Sequence, residues 1–183
     1  MIERRGFELR HAGGRRLEGV VMQYGVEAQM PGWRERFAQR AFRQLGAVDV
    51  RLNLDHVEER QLARSGDGSL TLHDTDQALL MVAELGRGRL QDEAIESVRA
   101  GDRRGLSVEF RAIADRWIED LREVAAALLA GIGVVRDPAY DASTVEARAK
   151  FAALARSEPL QRRPSDPPVS WDRRNARGVF TWL

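Results

Sequence analysis

The sequence contains no cysteine. Disulfides, zinc–thiolate sites and thiol nucleophiles are therefore excluded. Histidine is scarce: His11, His56 and His73 are the only three, so a multi-histidine metal site is not expected. Lys150 is the sole lysine, and every other cationic side chain is arginine. Neither sign of charge dominates, and the formal net charge of +1 gives no global field toward nucleic acid or a membrane surface. No apolar run reaches the length of a bilayer span. Met1–Arg5 lacks the apolar core of a secretory signal. These absences predict a soluble, intracellular protein. The 183 residues fit one domain with an appended tail and can bury a core without cross-links.

What is present reads mostly as short strands. Residues 2–10 and Leu17–Tyr24 flank the turn His11-Ala12-Gly13-Gly14 and predict a hairpin. In Arg34–Leu45, Phe37, Ala41, Phe42 and Leu45 fall at helical spacing, which predicts a short helix with a core face. Val48, Val50, Leu52 and Leu54 alternate cleanly and predict a strand running into Asp55-His56. Leu70–Asp74 and Ala78–Leu85 predict two more strands around a turn at Thr75-Asp76-Gln77, with His73 on the solvated face. Leu90–Ala100 carries Leu90, Ala94, Ile95 and Val98 on one stripe and predicts a helix ended by Gly101. Residues 121–135 have the composition of a helix and the position of a buried strand, and periodicity does not decide between them. Ser143–Arg156 reads as partly helical. Four of the six prolines fall within residues 157–170, which predicts a domain over residues 1–156 and a Pro-rich linker and tail over residues 157–183. The apolar end of that tail, Gly178–Leu183, suits an added strand or a docking peptide.

Two places could carry chemistry. In Gly105-Leu106-Ser107-Val108-Glu109-Phe110, Val108 and Phe110 alternate with Ser107 and Glu109, so a hydroxyl and a carboxylate share the polar face of a strand. Ser107 is there either a nucleophile or an ordinary half-buried strand serine. His56 stands at the end of a well-anchored strand, where a side chain can be held rigidly and still meet solvent. It is either a base or a strand-end histidine satisfied by Asp55 or a carbonyl.

Taken in order, Asn53-Leu54-Asp55-His56, the hairpin, the amphipathic helix, Gly105–Phe110 and Gly131-Ile132-Gly133-Val134-Val135-Arg136-Asp137-Pro138-Ala139-Tyr140 resemble the prohead (capsid maturation) proteases of tailed bacteriophages. Leu17–Val20 and Arg34–Phe42 fit the same family, and the likeness spans roughly residues 3–148. The resemblance implies a serine endopeptidase, mainly β with flanking helices (α+β), its antiparallel β-barrel resembling the herpesvirus assembly protease. It implies Ser107 as nucleophile and His56 as general base. It implies no cofactor and no metal. Its substrates would be scaffolding and coat-protein segments, and the protein itself, inside the immature capsid in the host cytoplasm. Major capsid protein would thus be a partner, a homo-oligomer is left open, and neither nucleic acid nor membrane is called for.

A third group should hold the imidazole and stabilise its cation. The family usually places an acid just before the segment equivalent to Ile132, and here that position is Gly131. The substitute would be Glu123, Glu109 or Asp137, with Glu123 placed first because it lies on what should be a neighbouring strand, and a dyad helped by water is the remaining alternative. Arg136 is a candidate for positioning a water or the carbonyl oxygen. The departure at Gly131 also motivates a rival expectation, a protease-like fold kept without activity for capsid assembly. An unrelated nucleic-acid-binding module is disfavoured by the charge.

Overall fold

The computed structural model describes residues 3–136. Among these residues the fold is mostly β with one α-helix. Its strands are β1 (Glu3–His11), β2 (Arg16–Gln23), β3 (Ala28–Met30), β4 (Trp33–Phe37), β5 (Arg51–Leu54), β6 (Gln61–Arg64), β7 (Leu70–Asp74), β8 (Ala78–Glu84), β9 (Gly105–Ile118) and β10 (Leu121–Val135). The helix α1 (Arg89–Arg99) lies between β8 and β9. Asp137 and everything after it, including the expected helix at 143–156 and the Pro-rich tail, lie outside the described residues. Among the described residues no helix is long and apolar enough to cross a membrane.

The strands bond in the order β3-β4-β10-β9-β1-β2-β8-β7, with β5 joined to β10 and β6 joined to β5. The expected antiparallel barrel is not what the described residues form. β3 and β7 end the path without pairing to each other, so no closed barrel is found. The sheet is also mixed. β10 runs antiparallel to β9 but parallel to both β4 and β5. Its length explains this: residues 121–124 bond to β4, and residues 132–134 bond to β5.

The core follows from alternation on these strands. Leu52 and Leu54 on β5, Leu106, Val108 and Phe110 on β9, and Ile132 and Val134 on β10 are all fully buried. They are register neighbours, so one face of the sheet is continuous hydrocarbon. Phe37, Phe42 and Phe110 meet there with ring centroids 4.9–6.4 Å apart. Burial of each such ring contributes about 1.5–3 kcal/mol. Helix α1 turns Ala94, Ile95 and Val98 inward, and it packs against β1 and β6.

The predicted hairpins at β1–β2 and β7–β8 are present. Two expectations are corrected, and one that was open is decided. Arg34–Leu45 is not a helix: Trp33–Phe37 is a strand, and the segment beyond it is irregular, with left-handed backbone at Arg40 and Gln44. Phe37, Ala41, Phe42 and Leu45 are nonetheless all buried. The stripe was a true core signal carried by a different backbone, because Ala41 and Phe42 dock against Ala127 of β10 instead of each other's turns. His73 is buried, 6% exposed, not solvated. Its strand has two covered faces, as its neighbours Leu72 and Asp74 are also buried. Residues 121–135 are one long strand, because bonding partners on both sides override their helix propensity.

Candidate active site

The sheet face opposite the Leu106–Val108–Phe110 core carries Ser107 and Glu109. Two rows cross the strands there. In one row Ser107 of β9 stands opposite Gly133 of β10, which in turn stands beside Asn53 of β5. In the next row Glu109 stands opposite Gly131. Directly opposed residues share a face and lie about 5 Å apart. A β-bulge between Leu129 and Gly131 sets this register just before the two glycines.

His56 is delivered to the same face by a tight turn. The Val57 N–H donates to the Leu54 carbonyl at 3.1 Å, and both central residues, Asp55 and His56, have positive φ of 55° and 59°. That is the backbone pattern of a type I′ turn, which reverses the chain sharply at the end of β5. The imidazole is thereby laid over Gly133. A Cβ at Gly133 would stand 2.6 Å from both Cε1 and Nε2 of His56. Gly133 is needed for space: only a residue without a side chain lets the ring rest on the strand.

The ring's other nitrogen meets Glu109. His56 Nδ1 lies 3.3 Å from Glu109 Oε1, with the histidine side chain 8% exposed and the glutamate side chain 17%. The second carboxylate oxygen, Oε2, lies 3.1 Å from where a Cβ of residue 131 would be. Glu109 thus occupies the place that a side chain at position 131 would take. Nδ1 faces the Glu109–Gly131 row and Nε2 lies over the Ser107–Gly133 row. Ser107 itself is buried, at 7% exposure.

Glu123 is not brought to this place. It lies near the opposite end of β10, about 30 Å from Gly133 at the rise of an extended strand. Arg36 Nε donates to its Oε2 at 2.6 Å and Arg116 Nε to its Oε1 at 2.8 Å. The hydrogen bond from Arg36, with further help from Arg116, holds its carboxyl below the usual range. The geometry therefore gives Glu109 the position expected of Glu123. Position on a neighbouring strand, the reason for placing Glu123 first, does not pick out this carboxylate: Glu109 lies on the Ser107 strand itself, and Glu123 sits toward the far end of β10.

Several residues at the site carry weak sequence signals. Gly131 and Gly133 sit inside a strand, which is itself a sign of close approach. Asn53 is buried on the Gly133 row with its Oδ1 lacking a hydrogen bond among the described residues. Asp55, next to His56, is clamped by the buried Arg103, with Nε–Oδ1 at 3.1 Å and Nη2–Oδ2 at 2.6 Å. The hydrogen bond from Arg103 depresses the Asp55 pKa, with smaller contributions from the charges of Arg103, Arg60 and Arg136. Arg136 itself is exposed at the end of β10.

A hydroxyl, an imidazole and a carboxylate gathered on one rigid sheet face are the groups a serine hydrolase uses. The family model of caudovirus prohead serine proteases matches residues 3–157, and the chain belongs to that family. The protein is thus a protease of the serine type by family. No curated protein and no solved structure matches the chain.

Proposed function

We propose that the protein is an endopeptidase of phage capsid maturation with Ser107 as nucleophile, His56 as general base and Glu109 as the carboxylate behind it. The observation that carries this is the seating of His56, with Nδ1 at 3.3 Å from Glu109 and the ring resting on Gly133, the cross-strand partner of Ser107.

The chemistry follows from that seating. A serine hydroxyl is a weak nucleophile until a base removes its proton. His56 Nε2 accepts the Ser107 proton as Oγ bonds to the scissile carbonyl carbon. The tetrahedral intermediate collapses when the imidazolium returns that proton to the departing amine. Water then repeats the sequence on the acyl-enzyme and regenerates Ser107. Glu109 fixes the ring so that Nε2 points at the serine, and its negative charge stabilises the imidazolium. The substrates are scaffolding and coat-protein segments inside the immature capsid in the host cytoplasm, together with the chain itself. The inactive-scaffold reading draws on the missing acid at Gly131 and on the Pro-rich tail; the Glu109 carboxylate beside His56 speaks against the first of these.

The test is co-expression with the neighbouring coat and scaffold proteins, wild type beside Ser107→Ala and His56→Ala. Intact masses should show cleaved products with wild type alone, and a fluorophosphonate should add to Ser107 only when His56 is present. Cleavage persisting in a folded Ser107→Ala protein would sink the assignment.

A further inference from the structure

We propose that Arg103 and Asp55 act as positioning residues that hold the His56 turn in its ring-presenting form and tie it to the strand bearing Ser107. This rests on the reading of His56 as the base.

Two consecutive residues other than glycine adopt left-handed backbone at Asp55 and His56. Each such residue costs about 1–2 kcal/mol relative to the ordinary regions. The turn needs an outside restraint to persist, because relaxation of either φ would swing the imidazole off Gly133. The backbone supplies part of it: the Asp55 N–H donates to the Val134 carbonyl at 3.0 Å. The side chain supplies the rest. Asp55 presents both oxygens to the guanidinium of Arg103 in a two-point contact that fixes direction as well as distance.

Arg103 is an unusual anchor. Its side chain is 7% exposed while that of Asp55 is 34% exposed. A buried guanidinium is strongly unfavourable without its counter-ion, so the Arg103 site demands a carboxylate at this spot. Arg103 is itself fixed, since its N–H donates to the Ser97 carbonyl at the end of α1. It stands just before β9 begins at Gly105, close along the chain to Ser107. The pair therefore joins the end of β5 to the start of β9, the two elements whose relative placement sets base against nucleophile. Arg60 adds a longer contact to the same Asp55 oxygen, Oδ2, at 3.3 Å and leans on Glu93 of α1.

The alternative is an ion pair that staples the fold and does nothing for the ring. The experiment uses the full chain as wild type, Asp55→Asn, Asp55→Gly and Arg103→Lys, with Ser107→Ala and His56→Ala as controls. Asparagine keeps the shape of Asp55 and tolerates left-handed backbone, so it removes the charge and one of the two acceptors that Arg103 uses while sparing the backbone. Glycine relieves the backbone cost altogether. Two readouts are taken on each folded protein: the fluorophosphonate labelling rate of Ser107, and the ring ¹⁵N signals of His56, assigned by their loss in His56→Ala. We expect labelling about 100-fold slower in Asp55→Asn and Arg103→Lys, the scale of a misplaced catalytic group. On cleavable substrate kcat falls with KM unchanged. An Asp55→Asn/Arg103→Lys double variant, added to the set, should be no worse than either single one, Asp55→Gly should not restore the rate, and the His56 ring signals should shift or broaden.

Wild-type labelling in folded Asp55→Asn, or full activity in Asp55→Gly, overturns the proposal. Should Arg103→Lys not fold, the two Asp55 variants decide; should they not fold, Arg103→Lys does. A folded wild type that resists labelling, or a Ser107→Ala protein that is labelled, counts against the nucleophile assignment instead. The ring signals then still decide the positioning role, since unchanged His56 signals in Asp55→Asn refute it.

Discussion

The β9–β10 hairpin is one pair of strands with two different halves. In the half that holds Ser107 and Gly133, every second side chain is fully buried, and the pair is flanked by β1 on one side and β5 on the other. In the half toward the turn at Glu119 and Asp120, Ile113, Trp117 and Ile118 are 45–56% exposed. That half is tied by charge: Arg36 and Arg116 on Glu123, Arg122 between Glu35 and Asp115, and Arg34 on Asp120. A covered sheet can hold a side chain to a fraction of an ångström because its neighbours are packed at crystal density. In the other half the ladder of arginines holds its carboxylates by charge, with Glu35, Arg122 and Glu123 themselves largely covered while the apolar Ile113, Trp117 and Ile118 face solvent. A carboxylate is found in both halves, and only the one in the packed half meets an imidazole.

A matched pair of substitutions breaks this comparison most sharply. Glu109→Gln should lower kcat by about 10³–10⁴, the scale seen when the carboxylate of a catalytic triad is neutralised. Glu123→Gln should leave kcat at the wild-type value and cost about 1–3 kcal/mol of stability, since its largely covered carboxylate accepts from both Arg36 and Arg116. Steady-state kinetics and thermal unfolding on both proteins check this, and the opposite ranking would exchange the roles of the halves. A smaller effect is expected from the glycines. Gly133→Ala drives a methyl to 2.6 Å from a ring fixed on a tight turn, and kcat should fall by about 100-fold. Gly131→Ala meets only the tip of Glu109 at 3.1 Å, which can give way, so its loss should be less than about 10-fold. Equal losses at the two positions would mean that the ring is not seated on Gly133.

The smallest effect is on pH dependence. Asp55 and Glu123 both have carboxyls depressed in the folded state, chiefly by hydrogen bonds from Arg103 and Arg36. Their contribution is fully present above the ordinary carboxylate pKa of about 4 and is lost as pH falls through the lower folded values. Melting temperature should therefore drop on acidification below about pH 4. The drop should be shallower in Asp55→Asn and in Glu123→Gln, one variant reporting on each half. Slopes identical to wild type in both variants would remove these pairs from the acid response.

Much of this was legible in the residues, and the failures have physical causes. Ser107 and His56 could be singled out because clean alternation places a strand, and a strand places its side chains. Strand β10 was ambiguous for a reason the structure makes plain. Its buried residues Leu121, Val124 and Ala127 are three apart, a helical spacing. Register shifts around Ala126 account for the step from Val124 to Ala127 by inserting residues into an extended chain, while the step from Leu121 to Val124 runs without a shift. Bulges thus imitate a helix in a one-dimensional pattern. The Arg34–Leu45 stripe misled in a related way, since its burial was real while its backbone was irregular. Glu109 was among the acids considered but not placed first. Choosing between it and Glu123 needs the pairing register, which no local pattern contains.

The facing of Glu109 and Gly131 can be put in other terms. The anion beside His56 belongs to a place, and the strand that tethers it is a separate matter. Two backbone sockets open on that place, one on β9 and one on β10. Filling both would crowd two like charges into roughly 3 Å and push one of them to take up a proton. An empty socket at Gly131 is thus the counterpart of the filled one at Glu109. A scan down a single column for an acid would class this chain as inert, whereas a scan of the two columns together finds the acid across the ladder.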